Sequence, residues 1–346
     1  MAEEKQEKGK SRAWILILVV IIALGLAVGG YFWWPQEKFE PIEKITFGVE
    51  RSILPSAVWV ADNEGYFQEE GLDVEIKEFD SGRTALATML KEGGLDMVTV
   101  AQTPVMFNSF TRNDYAIIAG MVSSEDDVKI LARQDKGIEN PSDLRGKKVG
   151  ITRGSTGHFY LGLFLTHSGL KLSEIETIDI EASQLPQALG DGRVDAISTW
   201  EPHILNAKKL LGEKAAVLEP SGGAKIFRED FYFVADRNFM DNNPEVLKRF
   251  LKAIEKGEEF IRENEEEAIN IVSQQLEIDK ELVISVWDQF EFGLFLDQSI
   301  LIILEDEARW AITNNLTTST EMPNFLDYIH IDALQEVKPE AVRIIH

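Results

Sequence analysis

Residues 143–165 read DLRGKKVGITRGSTGHFYLGLFL, and this stretch predicts a strand, a glycine-containing loop and a helix in succession. The strand covers residues 148–151, and the helix begins near Ser155 or Thr156, which are both good N-cap residues. The first N–H groups of a helix have no partner inside it, and the helix dipole makes that end electropositive. The stretch therefore predicts either a site for an anion or a strongly polar oxygen, or an ordinary capped helix of an α/β domain.

Strands alternate with helices on both sides of this stretch. One series runs over residues 45–122 and a second over residues 128–199, and a last strand is expected at residues 231–235 before the chain turns helical. Such alternation is typical of parallel β-α units, in which ligands lie beyond the carboxyl ends of the strands. The loops expected at that mouth are residues 51–54, 81–83 and 102–103.

The composition limits the classes of function. The chain has 346 residues, a formal net charge of −24 and no cysteine, and its length suffices for two domains. The negative charge argues against nucleic acid as a partner, because phosphates need clustered lysine and arginine. The absence of cysteine excludes disulfides, thiolate metal sites and a cysteine nucleophile. The five histidines have no metal-ligand spacing, so the sequence predicts neither a metal site nor a cofactor.

The first 41 residues differ from the rest. Residues 1–12 are polar and carry four basic residues, and residues 13–34 carry no charge at all. An uncharged run of this length can span a hydrocarbon core of about 30 Å, and the aromatic residues at its end are typical of a membrane interface. These features predict a cytoplasmic tail at 1–12, a transmembrane anchor at 13–34 and a linker at 35–41, with the folded part outside the cytoplasm. The alternative is a cleaved signal peptide, whose apolar core is usually shorter.

Four segments of the chain resemble one family of extracytoplasmic binding proteins. They are GYFQEEGLDVEI at residues 65–76, DLRGKKVGITRGST at 143–156, EASQLPQALGDGRVDAISTWEPH at 181–203 and FLDYIHIDALQEVKPEAVRI at 325–344. The family comprises the NMT1-like and THI5-like proteins, which bind sulfonates, taurine, nitrate or thiamine-precursor pyrimidines. The segments occur in the family's order over nearly all of residues 45–344, so the chain is identified as resembling this family over its folded part.

The resemblance implies an α/β fold of the periplasmic-binding-protein type II class, preceded here by the transmembrane helix. In that fold, two lobes are joined by two hinge crossovers and enclose a ligand between them. The crossovers are expected near residues 122–127 and 234–238. Lobe one would then comprise residues 42–124 and 238–346, and lobe two residues 125–237.

The resemblance also implies ligand contacts at the strand ends and at the start of the central helix. Arg83 is expected either to contact an anion or to be a surface helix residue. Trp200 is expected to stack on a ring or to wall the site, and Glu201 either to accept from an amine or to cap the next helix. His158 either contacts the ligand or faces solvent. The predicted substrate-binding residues are Ser52, Leu54, Gly82, Arg83, Gln102, Thr103, Ser155, Thr156, His158, Trp200 and Glu201, and no catalytic residue is predicted.

The preferred hypothesis is the capture component of an ABC importer, a monomer that hands a small ligand to a permease and its cytoplasmic ATPase. One alternative is a ligand-sensing ectodomain that acts through a partner. Another is an enzyme related to eukaryotic pyrimidine-synthesising proteins, but the cysteine-rich motif of those proteins is missing. The sequence does not choose among taurine, aliphatic sulfonates, nitrate and aminopyrimidines or their phosphates as the ligand. Glu201 and Trp200 suit a ring or amine nitrogen, whereas the helix terminus and Arg83 suit an anion.

Overall fold

The computed structural model of the protein describes residues 42–345. The predicted cytoplasmic tail at 1–12, the transmembrane anchor at 13–34 and the linker at 35–41 lie outside the described residues. Across residues 42–345, every helix is either too short or too polar to cross a membrane.

Eleven strands and thirteen α-helices make up the part of the chain that the structure describes. The strands are β1 (Glu43–Glu50), β2 (Leu72–Phe79), β3 (Met97–Ala101), β4 (Tyr115–Ser124), β5 (Lys129–Arg133), β6 (Lys148–Ile151), β7 (Glu176–Asp179), β8 (Ala196–Thr199), β9 (Ala215–Leu218), β10 (Glu229–Asp236) and β11 (Phe290–Phe295). The helices are α1 (Ser56–Asn63), α2 (Tyr66–Glu69), α3 (Gly82–Lys91), α4 (Gln102–Ser109), α5 (Thr156–His167), α6 (Leu185–Gly190), α7 (His203–Leu211), α8 (Arg237–Asn242), α9 (Pro244–Glu263), α10 (Glu265–Leu276), α11 (Lys280–Trp287), α12 (Gln298–Thr313) and α13 (Asp332–Val337). Short 3₁₀ turns cover Gln134–Lys136, Pro141–Leu144, Leu172–Glu174, Ala182–Gln184, Gly212–Lys214, Phe325–Tyr328 and Pro339–Ala341.

The strands form two sheets. A six-stranded sheet has the order β11-β4-β10-β3-β1-β2, and a five-stranded sheet has the order β7-β6-β8-β5-β9. Strand β1 pairs in parallel with β2 and β3, and β6 pairs in parallel with β7 and β8. These four pairs are the parallel β-α units that the alternating pattern predicted, so the α/β class is confirmed.

The second crossover expected at residues 234–238 overlaps the end of strand β10. Strand β10 pairs antiparallel with both β3 and β4, so it lies inside the six-stranded sheet. The chain therefore leaves that sheet between residues 124 and 129 and returns to it between residues 218 and 229, before the predicted 234–238. The sequence predicts this strand at residues 231–235, but backbone pairing with two distant strands decides its place in the sheet.

The prediction of an all-helical end of the chain also needs correction. Strand β11 pairs antiparallel with β4 and forms an edge of the six-stranded sheet. Its first residue Phe290 and the nearby Trp287, at the end of α11, are both buried. A six-residue apolar strand between two helices has too short a pattern to be separated from helix by periodicity.

Helix α9 covers one face of the six-stranded sheet. It begins at Pro244, in agreement with proline's preference for the first helical position. Its buried Phe250 contacts the rings of Phe47, Phe233 and Phe67 at centroid distances of 5.2, 5.1 and 5.5 Å. These contacts join the helix to β1, β10 and α2 in a single core.

The contact between α9 and α1 gives a stability prediction. A Cβ atom at Gly257 would lie 2.5 Å from the carbonyl oxygen of Ala57. We expect Gly257→Ala to lower the free energy of unfolding by about 1–3 kcal/mol, because the helices must move apart. The matched control is Gly190→Ala in α6, where the nearest atoms lie 3.9 Å away and helix propensity favours alanine by up to ~1 kcal/mol. Chemical denaturation measures both, and equal stability of the two variants would contradict this packing.

Candidate functional site

A small cavity lies where the strand ends of the two sheets meet. It contains about 10 Å³ of space, which is room for one water molecule. Both sheets contribute walls, because β1, β3 and β10 belong to one sheet and β8 precedes Trp200 in the other. The lining residues are Glu50, Ser81, Arg83, Ala101, Pro104, Ser155, Thr156, Trp200, Glu229 and Phe231.

Helix α5 points its N-terminus at this cavity. Its N-cap residue Ser155 is extended, and the Ser155 hydroxyl donates to the Thr152 carbonyl at 2.7 Å. As a result, no side chain among the described residues caps this helix. Close packing fixes the helix on β8, because a Cβ atom at Gly157 would lie 2.5 Å from the Ser198 carbonyl oxygen. The first turn of α5 is therefore a closely packed, buried and electropositive part of the cavity wall.

Glu50 ends β1 and turns its carboxyl into the cavity wall. The Gly82 N–H donates to its Oε2 at 2.5 Å, and the side chain is 3% exposed. Burial raises the pKa of Glu50 to about 8, and the charge of Asp127 adds to this. The Gly82 hydrogen bond and the nearby Trp200 and Ser52 groups lower the pKa and offset part of that increase. Glu50 is thus largely protonated at neutral pH.

A pair of carboxyl groups, those of Asp127 and Glu229, lies near Glu50. Glu229 starts β10, and its carboxyl is close enough to that of Asp127 to share a proton. Burial and the Asp127 carboxyl raise the pKa of Glu229 well above its usual value, while Thr156 acts in the opposite direction. Burial raises the pKa of Asp127 to about 6, against the lowering effects of Glu229 and Lys129. The site is therefore rich in carboxyl groups that are costly to ionise.

Trp200 and Glu201 follow β8, and only the first reaches the cavity. Trp200 is 3% exposed and meets the ring of His203 edge-on at 5.6 Å. Glu201 turns away: its Oε1 lies 3.2 Å from Lys129 Nζ, and its Oε2 accepts from the Leu205 N–H at 2.9 Å. Glu201 therefore caps α7 and pairs with a lysine, which is the alternative that the sequence left open.

Four of the eleven predicted site residues line the cavity, and the other seven lie around it. Arg83, Ser155, Thr156 and Trp200 line the cavity together. Ser52 and Gly82 lie behind it, beside the Glu50 carboxyl, and Leu54 is in the hydrophobic core.

The remaining predicted contacts support neighbouring elements. Gln102 accepts from the Asp230 N–H at 2.9 Å and donates to the Arg228 carbonyl at 3.1 Å. Thr103 donates to Glu307 Oε1 at 3.0 Å, on α12. Both side chains are fully buried, so each stabilises the fold around the cavity.

His158 is buried against α12. Its Nδ1 accepts weakly from the Gly154 N–H at 3.3 Å, and its ring meets Trp310 edge-on at 5.4 Å. Trp310 also contacts Phe159 at 5.0 Å and lies so close to Gly162 that a Cβ atom there would be 2.6 Å from its Nε1. His158 is therefore neither solvent-exposed nor among the residues that line the cavity.

The buried carboxyl groups are not among the residues predicted from the sequence. Glu50, Asp127 and Glu229 lie within four residues of a strand end, which is the only signal that could have selected them. The chain has 59 acidic residues, most of which belong on a solvated surface, so that signal is weak. Among residues 42–345, no group of three or more histidine or acidic side chains is arranged to hold a metal ion.

Comparison with known proteins identifies the family. The family model described as NMT1/THI5 like matches residues 56–268, which is more than half of the chain. The chain belongs to the NMT1/THI5-like family.

Two curated relatives and one solved structure indicate the range of the family. The taurine-binding periplasmic protein of Escherichia coli is 26% identical over 220 residues, 63% of this chain and 66% of that protein. The formylaminopyrimidine-binding protein of Halalkalibacterium halodurans is 27% identical over 224 residues, 63% of this chain and 67% of that protein. The alkanesulfonate-binding protein SsuA of Xanthomonas axonopodis pv. citri superposes with a TM-score of 0.74 at 16% identity, covering 84% of this chain and 99% of that one. This NMT1/THI5-like chain therefore has the α/β fold of periplasmic binding proteins.

Because the pKa of Glu50 is raised in the folded state, this residue should make the free energy of unfolding depend on pH. A carboxyl group whose pKa is higher in the folded state stabilises the fold below its unfolded pKa, and that contribution is lost as pH rises through the folded value. For Glu50 the window is from about 4.5 to about 8. In the wild type, ionisation of Glu50 should lower the free energy of unfolding by on the order of 3 kcal/mol between pH 5 and pH 8.5. We expect Glu50→Gln to remove this decrease, because glutamine does not ionise.

Denaturation at both pH values measures this loss. Exposed Glu64→Gln is the control and should keep the wild-type dependence on pH. A Glu50→Gln variant whose stability falls with pH as steeply as the wild type would show that Glu50 ionises normally.

Proposed function

We propose that this chain is the extracytoplasmic solute-binding component of an ABC importer. The observation that carries the proposal is the cavity at the strand ends, whose walls come from both sheets. Small-molecule sites are commonly enclosed spaces in which a few polar groups converge, often at the boundary between two parts of a protein. Membership of a family whose relatives bind taurine or formylaminopyrimidine supports the same function. Capture and release need no catalytic residue.

The two sheets are proposed to be the cores of two lobes that move relative to each other. In this proposal, lobe one comprises residues 42–124 and 229–345 and lobe two comprises residues 125–228, a division based on the membership of the two sheets that differs from the one expected from the sequence. The cavity of about 10 Å³ is too small for a taurine-sized solute. The solute therefore enters when the lobes separate about the two connecting segments, as in hinge closure of periplasmic binding proteins.

The ligand class is proposed from the lining groups. The uncapped first turn of α5 and the Arg83 guanidinium favour an anionic or strongly polar oxygen. Trp200 forms an apolar wall suited to an aliphatic chain or a ring. A small solute with a polar head, such as taurine, another sulfonate or an aminopyrimidine, satisfies these groups.

The partners and location follow from the importer assignment. We expect the chain to deliver its solute to a permease driven by a cytoplasmic ATPase. The uncharged run at residues 13–34 is proposed to anchor the chain, with the lobes outside the cytoplasm. A monomer suffices, because one chain supplies both walls of the cavity.

Ligand binding tests the proposed site. In a thermal-shift assay, the full chain is screened with taurine, alkanesulfonates, nitrate, bicarbonate, aminopyrimidines and their phosphates. A ligand at about 100 times its Kd should raise the free energy of unfolding by ~2.7 kcal/mol. Trp200→Ala, and the double change Ser155→Ala with Thr156→Ala, should abolish that shift because each removes a wall of the cavity.

The matched control for the double change is Thr317→Ala with Ser319→Ala, outside the cavity, which should keep the shift. Both site variants must melt cooperatively without ligand. Wild-type shifts in both would mean that the solute binds elsewhere.

Membrane attachment is a separate prediction. We expect the full chain to remain with the membrane fraction after alkaline extraction. Replacing Leu18 and Ile21 together by arginine should release it, because each charge in the middle of a span costs about 2.5–3.5 kcal/mol. The control changes Glu37 and Glu40 to glutamine in the linker and should stay attached. A mature chain whose measured mass lacks residues 1–34 would instead indicate a cleaved signal peptide.

A further inference from the structure

A short sequence motif lies where α12 ends. Residues 315–317 read Asn-Leu-Thr and match the acceptor motif of N-glycosylation, in which asparagine is followed two residues later by serine or threonine and proline is not allowed between them. No other asparagine of the chain fits this motif, since Asn140 is followed by Pro141 before Ser142. Such acceptors lie on exposed segments of proteins outside the cytoplasm. The surroundings of Asn315 therefore decide whether the motif can be used.

The backbone holds Asn315 in a defined turn. The Asn315 N–H donates to the Ile312 carbonyl at 3.1 Å, and the Leu316 N–H donates to the Ala311 carbonyl at 2.9 Å. These two hydrogen bonds form a Schellman motif, and Asn315 occupies its left-handed position with a φ of 55°. Leu316 packs against the hydrophobic core. The turn therefore keeps the acceptor at the surface, immediately after the helix.

The side chains that the motif requires are available. Asn315 is exposed, and its amide makes no hydrogen bond with the rest of the described chain. The neighbouring Asn314 is also exposed, but its Nδ2 donates to the Trp310 carbonyl at 2.9 Å. Thr317 Oγ1 accepts from the Ser319 N–H at 3.2 Å, which leaves its own O–H free to donate. A transferase can therefore reach both the amide nitrogen and the hydroxyl.

An open groove beside Asn315 leaves room for a saccharide. Its volume is about 760 Å³, and Asn315, Trp310 and Thr313 line it opposite Thr166 and Lys171. This volume lies within the ~300–1,000 Å³ that is typical of small-molecule sites. Apart from Lys171, the polar side chains that line the groove end in hydroxyl or amide groups, and the ring of Trp310 is half-buried. Such groups and an aromatic face suit an uncharged sugar.

We propose that Asn315 carries an N-linked saccharide, which a transferase outside the cytoplasm attaches from a lipid-linked sugar phosphate. The proposal rests on the location given with the proposed function. In the transfer, a bond forms between Asn315 Nδ2 and the anomeric carbon of the sugar, and the nitrogen gives one proton to a base of the transferase. The bond between that carbon and the phosphate oxygen breaks, and the lipid phosphate leaves with the bonding electrons.

The attachment point is separate from the cavity at the strand ends. Neither Asn315 nor Thr317 is among the residues that line that cavity. The saccharide should therefore leave solute binding unchanged, and substitutions at the motif can be read without disturbing the proposed solute site.

The experiment is peptide mass spectrometry of the full chain, purified from the membranes of the organism that encodes it. We expect most molecules to carry a saccharide on the peptide that contains Asn315, detected as added mass and as sugar fragment ions. Asn315→Asp and Thr317→Ala should each lower the modified fraction at least tenfold. The first change removes the acceptor nitrogen, and the second removes the hydroxyl that completes the motif.

Two further variants are matched to these. Thr317→Ser keeps the hydroxyl and should stay modified. Asn314→Asp makes the same change as Asn315→Asp at an exposed neighbour outside the motif, and it should stay modified as well. Aspartate tolerates the left-handed conformation, so Asn315→Asp preserves the turn, and Thr317→Ala tests the motif without changing Asn315.

An unmodified Asn315 in the wild type overturns the inference. So does a saccharide that persists in Asn315→Asp, since it would then be attached to the hydroxyl groups that follow, on Thr317, Thr318, Ser319 or Thr320.

The proposed function and location fail in different assays. A protease added to spheroplasts should degrade residues 42–345 if they lie outside the cytoplasm. An unmodified chain that is degraded rejects the glycosylation alone, whereas an unmodified chain that is protected rejects the location too. Solute binding is measured by the ligand-dependent thermal shift, which Asn315→Asp should leave unchanged.

Discussion

The return of β10 into the six-stranded sheet is the constraint on which the site depends. Its backbone pairs with β3 on one side and β4 on the other, and the Gln102 amide reinforces this pairing through the Arg228 carbonyl and the Asp230 N–H. This insertion links two stretches of chain more than 120 residues apart. It also fixes both connections between the sheets, and it brings Glu229 and Phe231 to the cavity.

The cavity is lined both by an electropositive helix N-terminus and by carboxyl groups. The first turn of α5 offers unpaired N–H groups, while Glu50, Asp127 and Glu229 bring carboxyl groups that burial keeps from ionising freely. Lys129 and Arg83 lie close to Glu201 and Glu181, and Arg83 Nε has no hydrogen-bond partner among residues 42–345. A site with unpaired N–H groups at one end and carboxyl groups at the other favours a solute that is polar at both ends. These polar groups therefore contribute to the choice of solute in addition to the shape of the cavity.

Much of the architecture follows from the sequence, but the carboxyl cluster does not. The Gly-Ser-Thr loop predicted a helix N-terminus, and α5 begins at Thr156 with its first turn at the cavity. Trp200 and Arg83 also line the cavity, because residues at strand ends are placed by the fold class itself. The position of β10 depends on pairing between distant strands, and the roles of Gln102 and His158 depend on what packs opposite them. Local patterns contain no information of that kind, so Glu50 and Glu229 could not be separated from the surface acids.

Trp310 joins α12 to α5 through an aromatic contact outside the cavity. This ring belongs to α12, yet it packs between His158 and Phe159 of α5 and over Gly162. In the proposed opening, separation of the two sheets exposes this aromatic surface to water, whatever occupies the cavity. The Trp310 contact therefore adds to the free energy of opening, although Trp310 is not among the residues that line the cavity. The balance between open and closed states and the choice of solute then depend on different side chains.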